Sequence, residues 1–255
     1  MSATDSVSIP WLDSGEPLPA PERAGGAETE VPGLLAASAA IELPRLIQAY
    51  RSGIFPWYNA DQPVLWWSPN PRMVLQVADF RLHRSLRQHI TQGLRSGHLE
   101  VRVDVDFEHV IHACANARRD GQRSTWIVPE LTATYIALHR QGMAHSVETF
   151  WQGQRVGGLY AVNMGGMVYG ESMYSEQTNA SKVALAALVA LCRRSGMPAI
   201  DCQQETQHLA FMGAQAMPRG DFLNLVRHAV ERPAPAWKFS PDMWTHLDPR
   251  LGLAL

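Results

Sequence analysis

Residues 199–203, Ala-Ile-Asp-Cys-Gln, combine an apolar run with three side chains that can handle protons. Strand alternation puts Asp201 and Gln203 on one face and Cys202 on the other. At the end of an apolar strand a carboxylate is partly desolvated, which raises its pKa toward the range useful for accepting a proton. Asp201 is therefore a candidate proton acceptor or electrostatic steerer, with the Gln203 amide beside it to orient a substrate, and Cys202 packs behind. Glu171, after Gly170 in another expected strand, is a second acid. The plainer alternatives are a strand-end carboxylate capping the next helix for Asp201 and a solvent-facing strand residue for Glu171. A Cys/His hydrolase built on Cys202 with His145 or His208 would need the thiol on the side of Asp201 and Gln203, where alternation does not put it.

The elements that must position these groups are legible in the second half of the chain. His145–Trp151, Arg155–Asn163 and Met167–Tyr174 read as strands joined by tight turns at Gln152-Gly153 and Gly165-Gly166, an antiparallel meander. A helix begins near Asn179 or Ser181, either of which can cap it, and stops at Gly196. Pro198–Gln203 is the next strand, and short helices come after it over about 205–212 and 220–231. Meander, helix and strand resemble the core of the acyltransferase fold of acetyl-CoA-dependent N-acetyltransferases.

The first half predicts a helix over about 43–52, a proline-interrupted segment, a short strand at 73–77, a helix from about 81 to 92 or beyond, a strand at 101–105, and helices near 106–118 and 129–141. In the second of these helices Leu82, Leu86, Ile90 and Leu94 fall on one side and Arg81, Arg84, Arg87 and Arg95 on the other. That basic face is either a solvated surface or a phosphate-binding one. Residues 1–30, rich in Pro, Gly, Ala, Ser and acid, read as a flexible acidic arm, either largely disordered or loosely docked.

Composition excludes several classes. The chain has 255 residues, 46% hydrophobic, with formal charge −2; the six acids and one base of the arm leave 31–255 at +3. Cys114, Cys192 and Cys202 match no metal-ligand spacing and imply no disulfide framework, so a reducing compartment is expected. No signal-peptide pattern and no apolar run of the ~20 residues needed for a membrane span is present, so a soluble cytoplasmic protein is expected.

Several segments, in order, resemble the leucyl/phenylalanyl-tRNA–protein transferase family: Tyr50-Arg51-Ser52-Gly53-Ile54-Phe55-Pro56-Trp57, Trp66-Trp67-Ser68-Pro69 with Pro71-Arg72, Thr125-Trp126-Ile127, Ala144-His145-Ser146-Val147-Glu148, Gly157-Gly158-Leu159-Tyr160, Gly170-Glu171-Ser172-Met173, Asn179-Ala180-Ser181-Lys182 and Asp201-Cys202-Gln203. The resemblance spans about 31–225. It implies an α+β chain with a small N-terminal α/β domain (31–105) and a GNAT-like catalytic domain (106–255). It also implies no metal and no organic cofactor; a monomer is expected. The implied activity moves Leu or Phe from aminoacyl-tRNA to acceptor proteins with N-terminal Arg or Lys, as in an N-degron pathway; an apolar side-chain pocket, which discriminates poorly between similar side chains, would admit Met as well.

In that setting Asp201, Gln203 and Glu171 are the expected catalytic residues. Glu171 is also an expected partner for the acceptor's positive N-terminus. Trp57 and Trp126 are expected around the terminal adenosine, and Leu159, Val168, Met173 and Leu188 around the transferred side chain, although for each of these four taken singly plain core packing is the favoured alternative. Arg81, Arg84, Arg87 and Arg95 are the expected tRNA phosphate contacts. The chain departs from the family pattern at Ser38-Ala39-Ala40-Ile41, where Gly-Gly-Asp-Leu is common. It departs again at Phe211-Met212, where Ser-Leu is usual, and in the arm, for which no counterpart is evident. Two rivals are an acyl-CoA N-acetyltransferase and a non-catalytic tRNA-binding protein. The first needs a glycine-rich pyrophosphate loop, and Tyr174-Ser175-Glu176-Gln177-Thr178 has an acid and no glycine there. Retention of Asp201, Gln203 and Glu171 together argues against the second.

Overall fold

A computed structural model describes residues 9–117 and 127–254. The chain runs through β1 (Trp11–Leu12), β2 (Leu34–Ser38), α1 (Leu43–Arg51), β3 (Phe55–Pro56), β4 (Val64–Trp67), β5 (Arg72–Gln76), α2 (Arg84–Arg95), β6 (Leu99–Val103), α3 (Phe107–Asn116) and α4 (Pro129–Arg140). It continues through β7 (Ala144–Trp151), β8 (Gln154–Met164), β9 (Met167–Ser175), α5 (Ala180–Arg194), β10 (Ala199–Gln203), α6 (Gln207–Phe211), β11 (Gln215–Met217), α7 (Arg219–Ala229) and α8 (Trp244–Leu247). The protein is α+β.

The strands form two sheets, a small one in the order β1-β2-β4-β3 and a seven-stranded one in the order β11-β5-β10-β9-β8-β7-β6. The meander expected from the turn residues is present, β7 to β8 to β9, all antiparallel. β10 then joins β9 in parallel, which requires a crossover, and α5 supplies it. Local periodicity gave no sign that β5 and β6 flank this same sheet, β5 pairing with β10 and β6 with β7. The large sheet thus begins at Arg72, and the division expected at residue 105 falls after strands it already contains.

Alternation along the strands sorts the core into two faces. Val74, Tyr160, Val162, Tyr169 and Ala199 meet residues of α1, α3, α4 and α7 together with the small sheet. Met73, Leu75, Leu159, Ala161, Val168 and Ile200 meet α2, α5 and α8. Helix α5 carries apolar residues all round and is buried from Val183 to Cys192. Its end is the expected one: Gly196 takes φ +66 and Met197 N–H donates to the Cys192 carbonyl. Its start differs. Asn179 adopts φ +70 and makes no side-chain cap; the Ser175 hydroxyl accepts from Ser181 N–H instead, at 2.8 Å.

Residues 9–30 are docked rather than free. β1 pairs in parallel with β2, the Arg45 guanidinium donates to the carbonyls of Asp13 and Glu16, and Arg219 donates to the carbonyl of Ala24. Of the two readings composition allowed for the arm, disordered or loosely docked, residues 9–30 follow the docked one. Its ordering comes from backbone groups that composition does not reveal.

Candidate active site

β9 and β10 pair over only two positions, Val168 with Ile200 and Tyr169 with Asp201. Immediately beyond, each strand carries an irregularity against its other neighbour. Against β8, Tyr160 pairs with Ser172 and Ala161 with Gly170, so Glu171 is the extra residue. Against β5, Val74 pairs with Asp201 and Met73 with Gln203, so Cys202 is the extra residue. Two bulges side by side bend their strands apart and re-aim the side chains at the gap. The gap is a cavity of about 510 Å³.

One wall is apolar: Leu159, Met173, Leu185, Leu188 and Ile200. Glu171, Ser172, Gln203 and Gln204 supply polar groups, Phe55 and Trp57 come from the small sheet's side, and Thr206, His208 and Leu209 come from the start of α6. Trp57 is half-buried and meets Trp67 edge-on, 5.8 Å between centroids, while Trp67 Nε1 donates to the Trp57 carbonyl.

Glu171 is held from two sides. Gln203 Nε2 donates to Oε1 at 2.9 Å, and the Tyr135 hydroxyl donates to Oε2 at 3.1 Å. The Tyr135 oxygen is in turn 2.5 Å from that of Tyr50. Burial raises the Glu171 carboxyl to about 7; hydrogen bonds from Tyr50, Gln203 and Tyr135 oppose the rise, and the Asp201 charge adds to it. Burial, followed by the charge of Glu171, pushes both phenols well above their usual range, so they remain protonated donors.

Asp201 lies elsewhere. It is fully buried and ion-paired with Arg72, whose Nε and Nη2 donate to its two oxygens at 2.8 and 2.6 Å. The guanidinium is sandwiched between the rings of Phe55 and Phe222, 4.5 and 4.6 Å from their centroids. Asp201 Oδ1 also accepts from Gln203 N–H at 2.8 Å, beside a Gln203 backbone at φ +62.

The face assignment expected at this strand therefore changes. Asp201 is absent from the cavity lining, while Gln203 and Cys202 are both part of it. Simple alternation fails because the bulge at Cys202 interrupts the period of two. The Cys202 thiol is pushed up to about 12, first by burial and then by the Asp201 charge, so it is no thiolate nucleophile.

The remaining expected residues divide. Leu159, Met173 and Leu188 line the cavity, whereas Val168 is fully buried in the core under α5 and does not. Trp126 lies outside the described residues. Arg84 and Arg95 are exposed on α2, and Arg81 is exposed just before it. Arg87 is half-buried and approaches Asp248 at 3.8 Å. Sequence reasoning missed the Arg72 partnership and the tyrosine pair. Tyr50 and Arg72 stand inside motifs shared with the family; Tyr135 carries no signal beyond its place in an apolar helix.

For a metal, Asp104, His139 and His145 offer ligand atoms within 4.8 Å of one another. Their hydrogen bonds already use these atoms: Asp104 binds His145 Nδ1 and Ser146 N–H, and the two other ring nitrogens involved face the carbonyls of Gly142 and Ala144. The group reads as a clasp at the start of β7. Among the described residues no helix is long and apolar enough to cross a membrane.

A family model described as Leucyl/phenylalanyl-tRNA protein transferase matches residues 74–227, and that of the family's N-terminal domain matches 39–70, a division that falls where the two sheets separate. A Polaromonas protein named leucyl/phenylalanyl-tRNA–protein transferase is 53% identical over 239 residues, 94% of each chain. Its namesake in Leptothrix cholodnii is 52% identical over 246 residues, 95% of this chain and 96% of its own. The 5% left outside is about 13 residues, fewer than the arm, so much of the arm has a counterpart there after all. A distant likeness, TM-score 0.37 at 12% identity over 83% of this chain and 70% of the other, is to the C-terminal domain of a putative lysylphosphatidylglycerol synthetase from Agrobacterium fabrum. With a matched model over most of its length and relatives above half identity, the chain belongs to the leucyl/phenylalanyl-tRNA–protein transferase family.

Proposed function

We propose that the protein transfers leucine or phenylalanine from aminoacyl-tRNA to the N-terminal amine of proteins beginning with Arg or Lys. The observation that carries this reading is the cavity between β9 and β10, apolar on one wall and edged by Glu171 and Gln203. The donor is an ester, already activated, so no enzyme nucleophile is needed. The acceptor ammonium, with a pKa of about 7.7–8.0, must lose a proton before it attacks. A carboxylate near 7 is matched to take it. Attack on the ester carbonyl releases the ribose hydroxyl, which takes the second amine proton as the peptide bond forms. Glu171 then returns its proton to water.

Gln203 orients Glu171, and Asp201 acts as a positioning residue through Arg72 and the Gln203 backbone. The Glu171 carboxylate also favours an acceptor carrying positive charge, which suits an N-terminal Arg or Lys. Leu159, Met173 and Leu188 form the side-chain pocket. Such an apolar pocket discriminates by only about 1–3 kcal/mol per methylene, so methionine is admitted as well and charged side chains are not. Trp57 offers a stacking surface to the terminal adenosine, with Trp126 proposed as its companion. Arg81, Arg84 and Arg95 face solvent on the basic side and suit tRNA phosphates, with Arg87 contributing less.

The meander, crossover helix α5 and parallel strand β10 support a GNAT-like layout for the large sheet. The α5 N-terminus does not favour an acyl-CoA ligand: Ser175 occupies Ser181 N–H, and Glu176 lies beside it. Cys114, Cys192 and Cys202 form no disulfide, which suits the reducing cytoplasm, where a monomer would carry out N-degron chemistry. The test combines the purified protein, Leu-tRNA or Phe-tRNA, and a peptide beginning with Arg. New peptide-bond formation is expected. Absence of transfer with both donors would reject the reading.

A further inference from the structure

Helix α6 joins two regions of the molecule. Its first turn reaches the cavity through His208 and Leu209. Its last residue, Phe211, three positions after His208 and so on the same side of the helix, is 55% exposed. A phenylalanine left in water one turn beyond a cavity-lining side chain gains nothing by folding unless something covers it. This one is nevertheless held in place. Its ring lies flat on the His83 imidazole, 3.8 Å between centroids and 11° between planes, and His83 Nε2–H donates to the Phe211 carbonyl at 2.8 Å.

The next residues fix the same contact. Arg81 N–H donates to the Met212 carbonyl at 2.9 Å. Gly213 takes φ +106, and a Cβ there would come within 2.3 Å of the Asp79 carbonyl oxygen, so only glycine permits this approach. Residues 211–213 are thus clamped against 79–83. Exposed Arg81 and Arg84 flank His83 in sequence. Contacts thus link the apolar pocket through α6 to an aromatic platform, and that platform to the basic start of α2.

That linkage matches the chemistry of an aminoacylated RNA end. The esterified adenosine occupies the cavity, the preceding nucleotides of tRNA are unpaired, and their phosphates are anionic. We propose that Phe211, backed by His83, is a stacking platform for the base of an unpaired nucleotide just 5′ of the terminal adenosine, with Arg81 and Arg84 beside its phosphates. This rests on the aminoacyl-tRNA reading of the cavity. Base–aromatic stacking tolerates any base and needs no hydrogen-bond partner, which suits an exposed ring with no polar group of its own.

The test compares two donors, 3′-O-phenylalanyl-adenosine and full-length Phe-tRNA, with wild type, Phe211→Ala and Phe211→Trp. Phe211→Ala is expected to lower the ratio of kcat/KM for Phe-tRNA over that for phenylalanyl-adenosine by about 5- to 100-fold, mostly through KM. Phe211→Trp should retain the ratio, and the salt dependence of tRNA binding should keep its slope because no phosphate contact is lost. An unchanged ratio in Phe211→Ala overturns the proposal, whether both donors are unaffected or both decline together. Wild type that uses neither donor would reject the parent reading instead, and the two failures are distinguishable by that control.

Discussion

The Arg72 guanidinium meets the Asp201 carboxylate through two parallel hydrogen bonds, both side chains fully buried, while Asp201 also receives the Gln203 backbone N–H. One carboxylate thereby ties β5 to β10 and steadies the residue that holds Glu171. Removing one partner of such a pair leaves an uncompensated buried charge. Asp201→Asn should lower stability by about 3–5 kcal/mol in denaturant melts. It should also lower kcat by roughly 100-fold at temperatures where it remains folded, since misplacement by about 1 Å has that effect. Full activity in a folded Asp201→Asn variant would remove Asp201 from the site's support.

Glu171 sets the pH dependence. Its folded pKa, about 7, lies above that of an exposed glutamate, so the group acts as a base only when pH exceeds about 7. The rate of transfer should rise with pH through that value and again as the amine deprotonates near 7.7–8.0. In Glu171→Gln the lower of the two transitions should vanish and kcat should drop about 100-fold or more, the usual scale of a lost general base. A pH–rate profile of the variant that parallels wild type would refute this role.

The same shift has a sign for stability. The folded state disfavours the ionised carboxylate, so below the unfolded pKa there is no cost, and stability falls as pH rises from about 4.5 to about 7. Glu171→Gln should therefore match wild type in Tm near pH 4.5 and exceed it near pH 8. Identical pH dependence of Tm in both proteins would show that Glu171 is not desolvated.

Donor choice should track the apolar wall. Leu188 is buried against the cavity, and Leu188→Phe removes volume there. Preference for Leu-tRNA over Phe-tRNA in direct competition should increase by about 10-fold, the order expected for a small change in pocket size. An unchanged ratio would place the transferred side chain elsewhere.

On α2, Arg84 and Arg95 are exposed, whereas Arg87 already faces Asp248. Arg84→Ala with Arg95→Ala should weaken tRNA binding and reduce the slope of log K against log salt by about 1.4–1.8, two phosphate contacts' worth. Arg87→Ala alone should change it less. Equal affinity at low salt would remove this face from the footprint.

How much of this was legible in the sequence depends on the range of the forces involved. The meander, α5 with its glycine stop and the identity of β10 are set by local periodicity and turn chemistry, so reading residues in order recovers them. Family membership is written there too, because motifs such as Gly170-Glu171-Ser172-Met173 keep their order along the chain. Pairing across the sheet was not legible: β5 pairs with β10 and β6 with β7, partners far away in sequence that only folding brings together. The bulges at Glu171 and Cys202 are decided the same way, by which strand each lies against. Strand alternation put Asp201 and Gln203 on one open face. Tertiary structure gave the cavity to Glu171, Cys202 and Gln203 and buried Asp201 against Arg72, 129 residues away. The physical reason is twofold: a bulge changes the face of every residue after it, and a buried carboxylate needs a cation that only folding brings to it.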